Sequence, residues 1–220
     1  MITAGVDMGS KFVKIVILKD GAIQGKSSET TGFEPIEAAS RCLRAAAKAA
    51  GIEVSSIEHI TSTGAGRKVA PGAKSDITDV GAAAKGAARL HPTARTVLDI
   101  GAEEGRSIKI DANGKVVDFA VNEKCAAGAG AFAESMARAL EVSLDDFGKL
   151  SLQSNKSIPM NAQCAVFAES EVVSLVHAQT PKQDISRAVH DAIASRIISM
   201  ARRIGITQDL VLIGGLSYNP

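Results

Sequence analysis

The sequence is short of aromatic rings and of net charge. Phe, Tyr and Trp make up 3% of its 220 residues, Trp is absent, and the net charge at pH 7 is +1. So few rings exclude an aromatic stacking surface for single-stranded nucleic acid, and so little positive charge gives no patch that neutralises phosphates. We therefore expect no nucleic-acid partner.

Long apolar runs and cysteine-rich stretches are also missing. No stretch approaches the ~20 apolar residues of a membrane span, and the segment after Met1 lacks the basic and apolar regions of a signal peptide. The three cysteines are too few and too scattered for a disulfide scaffold. We expect a cytoplasmic protein with reduced thiols and no membrane contact.

Glycine and small apolar side chains are plentiful. The chain has 20 glycines, and hydrophobic residues make up 45% of it. A core of Val, Ile, Leu and Ala suits parallel strands covered by closely packed Ala-rich helices. The composition therefore favours an α/β fold.

One structural plan occurs twice along the chain. A predicted strand ends in Asp-x-Gly, a hairpin follows it, and helices come next. The strands and hairpins of the two copies are predicted over 4–9, 12–26, 96–101 and 107–121. Helices are predicted over 35–50, 81–90, 130–140, 165–178 and 184–204, and further strands over 55–63 and 209–213. The repeat predicts two lobes, 1–95 and 96–220, that face each other across a cleft.

The two Asp-x-Gly turns are candidate phosphate sites. Asp7 and Gly9 end the first strand, and Asp99 and Gly101 end its counterpart. Ligands of open α/β sheets bind beyond such strand ends, glycine lets the backbone approach a phosphate, and a pair of carboxylates can hold a hydrated Mg²⁺. The alternative is that each Asp-x-Gly is only a turn after a strand.

Nearby residues extend the candidate nucleotide site. Lys11 and Lys14 are placed to meet phosphate charge, and Gly214-Gly215 offers a flat surface for a sugar or base. The P-loop and dinucleotide-binding glycine patterns are absent after these strands. The Gly64-Ala65-Gly66-Arg67 stretch is interpreted as a plain loop.

Two of the cysteines are candidate cluster ligands. Cys125 and Cys164 each precede a predicted helix, where unpaired N–H groups stabilise a thiolate. A cubane iron–sulfur cluster takes four thiolates, so two chains related by a two-fold axis would complete the set. The alternative is that both are small buried hydrophobes, as Cys42 on its Ala-rich helix is expected to be.

Three segments resemble one known family. They are Glu123 to Gly130, Cys164 to Val172 and Ala194 to Ile197. They are similar to the BadF/BadG/BcrA/BcrD ATPase family, which contains 2-hydroxyacyl-CoA dehydratase activators and benzoyl-CoA reductase ATPase subunits. The resemblance implies two ribonuclease-H-like lobes of the acetate/sugar kinase–Hsp70–actin superfamily, with ATP or ADP and Mg²⁺ in the cleft.

The resemblance also assigns residues to motifs. The nucleotide-binding set consists of Asp7, Gly9, Ser10, Lys11 and Lys14 of the first phosphate motif, Asp99, Gly101 and Ala102 of the second, and Gly214 and Gly215 of the adenosine motif. Asp7 and Asp99 are the implied Mg²⁺ ligands. Cys125 and Cys164 match the residues that hold one 4Fe–4S cluster between two subunits. ATP hydrolysis would then drive a low-potential electron from ferredoxin or flavodoxin to an acyl-CoA dehydratase or reductase.

The second phosphate motif departs from the activator pattern. Activators typically read DIGGQD there, whereas this chain has Glu103 and Glu104 after Asp99-Ile100-Gly101-Ala102. One of these glutamates is the implied catalytic residue that orients water or contacts Mg²⁺. The substitution favours, as first choice, an ATPase subunit of benzoyl-CoA reductase paired with a related chain. The alternatives are a homodimeric dehydratase activator, a non-catalytic nucleotide-binding scaffold and a small-molecule kinase.

The family pattern extends past the adenosine glycines. The resemblance implies a helix over the adenine and a closing segment beyond Gly214-Gly215, whereas the sequence ends at Pro220. We therefore expect the C-terminal part of the fold to be truncated.

Overall fold

The computed structural model describes residues 1–122, 130–160 and 165–220, and it divides into two compact units, Met1–Ala82 and Ala83–Pro220. The lobe boundary predicted after residue 95 lies within the second unit, between the helix that ends at Leu90 and the strand that begins at Thr96. Each unit is built on one sheet, and each sheet begins with a strand that ends in Asp-x-Gly.

The first unit is a five-stranded sheet covered by one helix. Its strands are β1 (Ile2–Met8), β2 (Phe12–Lys19), β3 (Ala22–Thr30), β4 (His59–Thr63) and β5 (Ser75–Asp76), in the order β3-β2-β1-β4-β5. β1 runs antiparallel to β2 and parallel to β4. Asp20 and Gly21, both with positive φ, form the tight hairpin turn that their sequence predicts.

Helix α1 (Pro35–Ala49) packs its small residues on this sheet. Its buried face repeats at three- and four-residue intervals: Ala38, Ala39, Cys42, Leu43, Ala46 and Ala47. They join alternate residues of β1 and β2 in one core, and Cys42 is fully buried there, as predicted. Helix α2 (Asp79–Leu90) follows β5 and leads to the second sheet.

The second unit repeats the strand plan with four strands. They are β6 (Thr96–Ile100), β7 (Gly105–Ile110), β8 (Val116–Asn122) and β9 (Leu210–Ile213), in the order β8-β7-β6-β9. β6 pairs antiparallel with β7 and parallel with β9. The central strand therefore pairs with a strand from the far end of the unit.

Among the described residues between β8 and β9, the chain forms four helices. They are α3 (Gly130–Ala139), α4 (Leu144–Ser151), α5 (Ala165–His177) and α6 (Lys182–Ile204). All four contribute to one buried cluster that includes Phe132, Phe147, Val172 and Ile185. Among the described residues, no helix is both long and apolar enough to cross a membrane.

A buried carboxylate anchors the segment after α4. Asp184, near the start of α6, accepts hydrogen bonds from Ser154 Oγ at 2.7 Å and Lys156 Nζ at 2.8 Å. The hydrogen bond and charge of Lys156, together with the hydrogen bond of Ser154, lower the pKa of Asp184 below its ordinary value. The segment that leads toward Cys164 is thereby fixed to α6.

Several elements differ from the sequence predictions, among them β5, which was not predicted. The strand predicted over 55–63 is a short 3₁₀ helix (Val54–Ser56) followed by β4, because only His59–Thr63 pairs with β1. Helix α4 was not predicted, although Ser143 caps it by accepting a hydrogen bond from Asp146 N at 3.1 Å.

Candidate functional site

The first predicted phosphate turn, Asp7-Met8-Gly9-Ser10, carries an ion pair across two strands. Asp7 on β1 stands directly opposite Lys14 on β2, and Lys14 Nζ donates to Asp7 Oδ2 at 2.9 Å. The Lys14 side chain is 55% exposed, so its ammonium has access to solvent. A flexible, hydrated ammonium can leave the carboxylate and meet an incoming phosphate.

Gly9 is required by the close packing of this turn. A Cβ on Gly9 would lie 2.7 Å from the carbonyl oxygen of Phe12, and Thr31 Oγ1 donates to the Gly9 carbonyl at 2.7 Å. Thr31 also donates its backbone N–H to Lys11 O at 2.9 Å, while Ser10 is exposed at the tip. Sequence reasoning missed Thr31, which fixes the turn from the end of β3.

A second glycine turn packs directly against the first. Gly66 N donates to Met8 O at 3.0 Å, and Gly64 has φ +90°. A Cβ on Gly64 would lie 2.6 Å from Asp7 Oδ1 and from the Met8 backbone. The stretch interpreted as a plain loop is therefore part of the Asp7 site, and its paired glycines were the available signal.

Basic residues follow this second turn. Arg67 Nε and Lys68 Nζ contact the two carboxylate oxygens of Asp76 at 3.2 and 2.8 Å. Hydrogen bonding by Lys68, and more weakly by Arg67, lowers the pKa of Asp76. The two cations thereby tie the turn to β5.

The second phosphate turn has a denser charge network. Arg106 on β7 stands opposite Asp99 on β6 and donates Nη1 to Asp99 Oδ2 at 3.0 Å. Its Nη2 donates to Glu104 Oε2 at 2.6 Å. Gly101 N closes the turn by donating to Glu104 O at 2.9 Å. Sequence reasoning missed Arg106, although Arg106 follows Asp99 at the same seven-residue interval as Lys14 follows Asp7.

The second phosphate turn, at Asp99 to Ala102, also forms hydrogen bonds with the start of helix α3. Gly130 N donates to Gly101 O, and Ala131 N donates to Ala102 O, both at 2.7 Å. These N–H groups belong to the first turn of the helix, where no intrahelical acceptor exists. The phosphate turn and α3 are therefore joined directly through backbone.

Gly214, the first of the two glycines predicted to contact adenosine, lies against the same strand. Gly214 has φ +91°, and a Cβ there would overlap the backbone of Ile100, the residue between Asp99 and Gly101. Gly215 has open space around its Cα and begins the 3₁₀ helix Gly215–Tyr218. The structure thus brings Asp99, Gly101 and Gly214 to one edge of the second sheet.

The carboxylates of Asp7 and Asp99 suit a magnesium ion that keeps several of its waters, not one bound by protein ligands alone. In the part of the chain that the structure describes, no group of three or more His, Cys, Asp or Glu residues is placed to hold a metal. Mg²⁺ keeps several waters and takes one or two carboxylates plus phosphate oxygens. Beside Asp7, the buried Thr63 Oγ1 at the end of β4 has no partner among the described residues, which fits a site where water or phosphate supplies one.

The predicted cluster cysteines, Cys125 and Cys164, lie outside the described residues. The helices that follow them are described: α3 begins at Gly130 and α5 at Ala165. Phe132 and Met136 of α3 share a buried cluster with Val172 of α5. Each cysteine therefore precedes one of two helices that pack together.

Comparison with known proteins gives consistent matches over the whole chain. The sequence model of the BadF/BadG/BcrA/BcrD ATPase family matches residues 4–220 of this chain. The activator of lactoyl-CoA dehydratase from Anaerotignum propionicum is 37% identical over 219 residues, which cover 100% of this chain and 85% of that protein. A benzoyl-CoA reductase subunit from Thauera aromatica is 32% identical over 229 residues, which cover 99% of this chain and 79% of that subunit.

A solved structure agrees with these sequence matches. The activator of the 2-hydroxyisocaproyl-CoA dehydratase from Clostridium difficile, with bound ADPNP, has a TM-score of 0.91 at 34% identity and covers 100% of this chain and 82% of that one. The likeness confirms the predicted two-lobed α/β fold of the acetate/sugar kinase–Hsp70–actin superfamily. The chain belongs to the BadF/BadG/BcrA/BcrD ATPase family.

Proposed function

We propose that this member of the BadF/BadG/BcrA/BcrD ATPase family is an ATP-driven electron-transfer activator of a 2-hydroxyacyl-CoA dehydratase. The dehydratase activators match it at higher identity than the benzoyl-CoA reductase subunit does. The first choice made from Glu103 and Glu104, a benzoyl-CoA reductase subunit, is therefore not favoured. Three changed residues in one turn weigh less than similarity along the whole chain.

One observation carries the proposal: the second phosphate turn is bonded to the helix that follows Cys125. Gly101 and Ala102 accept hydrogen bonds from Gly130 and Ala131, at 2.7 Å each. A change in the turn on loss of the γ-phosphate would therefore reach α3 without an intervening flexible segment. Such a contact supplies the mechanical link that ATP-driven electron transfer needs.

The nucleotide would be held by residues of both turns. Backbone N–H groups of the two turns, other than that of Gly101, suit phosphate oxygens, and Asp7 and Asp99 would hold Mg²⁺ through its waters. When bound, Mg²⁺ neutralises charge on the phosphates. Glu103, exposed and without a side-chain partner among the described residues, is the glutamate available to orient the attacking water.

The cysteines would hold the electron carrier. Cys125 and Cys164 supply two thiolates per chain, so a 4Fe–4S cluster would take two from each subunit of a homodimer. When bound, the cluster supplies one-electron chemistry. Its electron would come from ferredoxin or flavodoxin, and the dehydratase would accept it.

The test uses chain purified without oxygen. Iron and sulfide are measured, together with ATP-dependent activation of a 2-hydroxyacyl-CoA dehydratase by the reduced protein. We expect about four irons per two chains, no iron in Cys164→Ala, and wild-type iron in the control Cys42→Ala. Both variants should still bind ADP.

Three results would contradict the proposal. Iron retained by Cys164→Ala would remove the cluster assignment. ADP binding by a dimer that takes up no iron on anaerobic reconstitution would favour a nucleotide-binding scaffold, and phosphorylation of a sugar or carboxylate by the cysteine variants would favour a kinase.

A further inference from the structure

The two phosphate turns carry matched cations in different surroundings. Lys14 and Arg106 occupy the same register, each opposite the aspartate that ends the preceding strand. Lys14 is 55% exposed, whereas Arg106 and Asp99 are each only 14% exposed. The basic residue is therefore solvated in the first unit and enclosed in the second.

Arg106 binds two carboxylates at once. One arm of its guanidinium binds Asp99 and the other binds Glu104. The planar fork of arginine suits two such contacts, whereas a lysine ammonium acts as a point charge. Glu104 is 44% exposed, so its carboxylate extends from solvent to the enclosed guanidinium.

We infer that Arg106 is a positioning residue of the ATPase site, which holds Asp99 and Glu104 in one network and lowers the negative charge that the nucleotide meets. The inference rests on the proposed function, because it concerns the same nucleotide site. Glu104 belongs to the network around Arg106 and Glu103 does not, so the two glutamates have different roles.

The electrostatic consequence follows from counting charges. Asp99 and Glu104 each carry a negative charge and Arg106 carries a positive one, so replacing Arg106 with a neutral residue makes the local charge more negative by one unit. Free ADP is more negative than its magnesium complex, so the additional negative charge repels free ADP more strongly. Arg106 therefore controls the ratio of the ADP dissociation constants measured without and with Mg²⁺.

The experiment measures ADP binding by calorimetry, with excess Mg²⁺ and with a chelator, to the full chain. For Arg106→Gln we expect the ratio of dissociation constants to rise about tenfold, equivalent to about 1.4 kcal/mol. Arg106→Lys keeps the charge and should hold the ratio near wild type. It loses the fork, so its ATPase kcat should still fall.

Two further variants isolate the network. Glu104→Gln removes one negative charge, so it should lower the ratio and partly reverse the effect of Arg106→Gln in the double variant. Arg41→Gln is the matched control, because Arg41 forms its ion pair with Glu29 rather than with Asp7 or Asp99. It should leave the ratio unchanged.

The outcomes are distinguishable. A folded Arg106→Gln variant with the wild-type ratio overturns this inference, as does an equal rise in Arg41→Gln. If Arg106→Gln does not fold, a changed ratio in Arg106→Lys overturns it. Failure of the wild-type chain to bind ADP under any condition overturns the proposed function, whereas loss of dehydratase activation alone leaves the Arg106 inference standing.

Discussion

The contact between α3 and the second phosphate turn can be tested with one proline. Ala131 is the second residue of α3, and its N–H donates to Ala102 O at 2.7 Å. Ala131→Pro removes this donor, and the ring carbon Cδ takes the place of the hydrogen. The helix itself tolerates proline in its first turn, and Gly130 before it has no Cβ to meet the ring.

The lost hydrogen bond determines the expected fall in the free energy of unfolding. A net loss of about 1 kcal/mol for the hydrogen bond, with a similar cost for a poorly solvated carbonyl at Ala102, gives about 2 kcal/mol. For a chain of this size that corresponds to a fall in Tm of about 4–8 °C. Displacement of the turn should also weaken ADP binding about tenfold.

The assay compares thermal unfolding and ADP affinity in two proline variants. Leu144→Pro is the control, because Leu144 is the first residue of α4 and Ser143 before it is extended, with φ −67° and ψ 155°. That variant should keep wild-type ADP affinity. Wild-type ADP affinity in a folded Ala131→Pro variant would refute the reasoning that α3 and the phosphate turn act as one body.

Three further predictions concern the turns and the anchor of α6. Thr31→Val removes the hydroxyl that bonds the Gly9 carbonyl and should lower the free energy of unfolding by about 1 kcal/mol in urea titration, whereas Thr31→Ser should retain stability. Gly214→Ala combines a positive φ with a backbone clash and should cost about 3 kcal/mol or more, whereas Gly215→Ala, in open space, should be nearly neutral. Because the pKa of Asp184 is lowered on folding, its stabilisation is present above about pH 4 and is lost as the pH falls through its lower folded value. Asp184→Asn should therefore be less stable at neutral pH and show a flatter decline in acid unfolding.

Local patterns predicted the scaffold of the site well. Short strands ending in Asp-x-Gly, the Asp20-Gly21 turn and the alanine face of α1 are encoded within a few residues, and the structure has them at those places. Helix α4 was missed despite its Ser143 cap, because its eight residues give only two turns of periodicity.

Contacts between distant segments were beyond sequence reasoning. The role of Thr31 depends on how β3 ends beside Gly9, and that of Gly64 on the parallel pairing of β4 with β1. Arg106 reaches Asp99 only because the chain turns back between β6 and β7. Such roles depend on the register of the strands, which a single sequence does not reveal.

The pairing of β6 with β9 has a consequence for the order in which the protein is completed. Thr96 Oγ1 donates to Thr207 O and accepts from Thr207 N, contacts that join residues 111 positions apart. On the ribosome, the strand that bears Asp99 emerges long before the strand that must lie beside it. The first sheet can close while synthesis continues, but the second stays open on the side that β9 later covers. We expect the capacity to bind ADP to arise late in translation, when residues 207–214 are free to fold back.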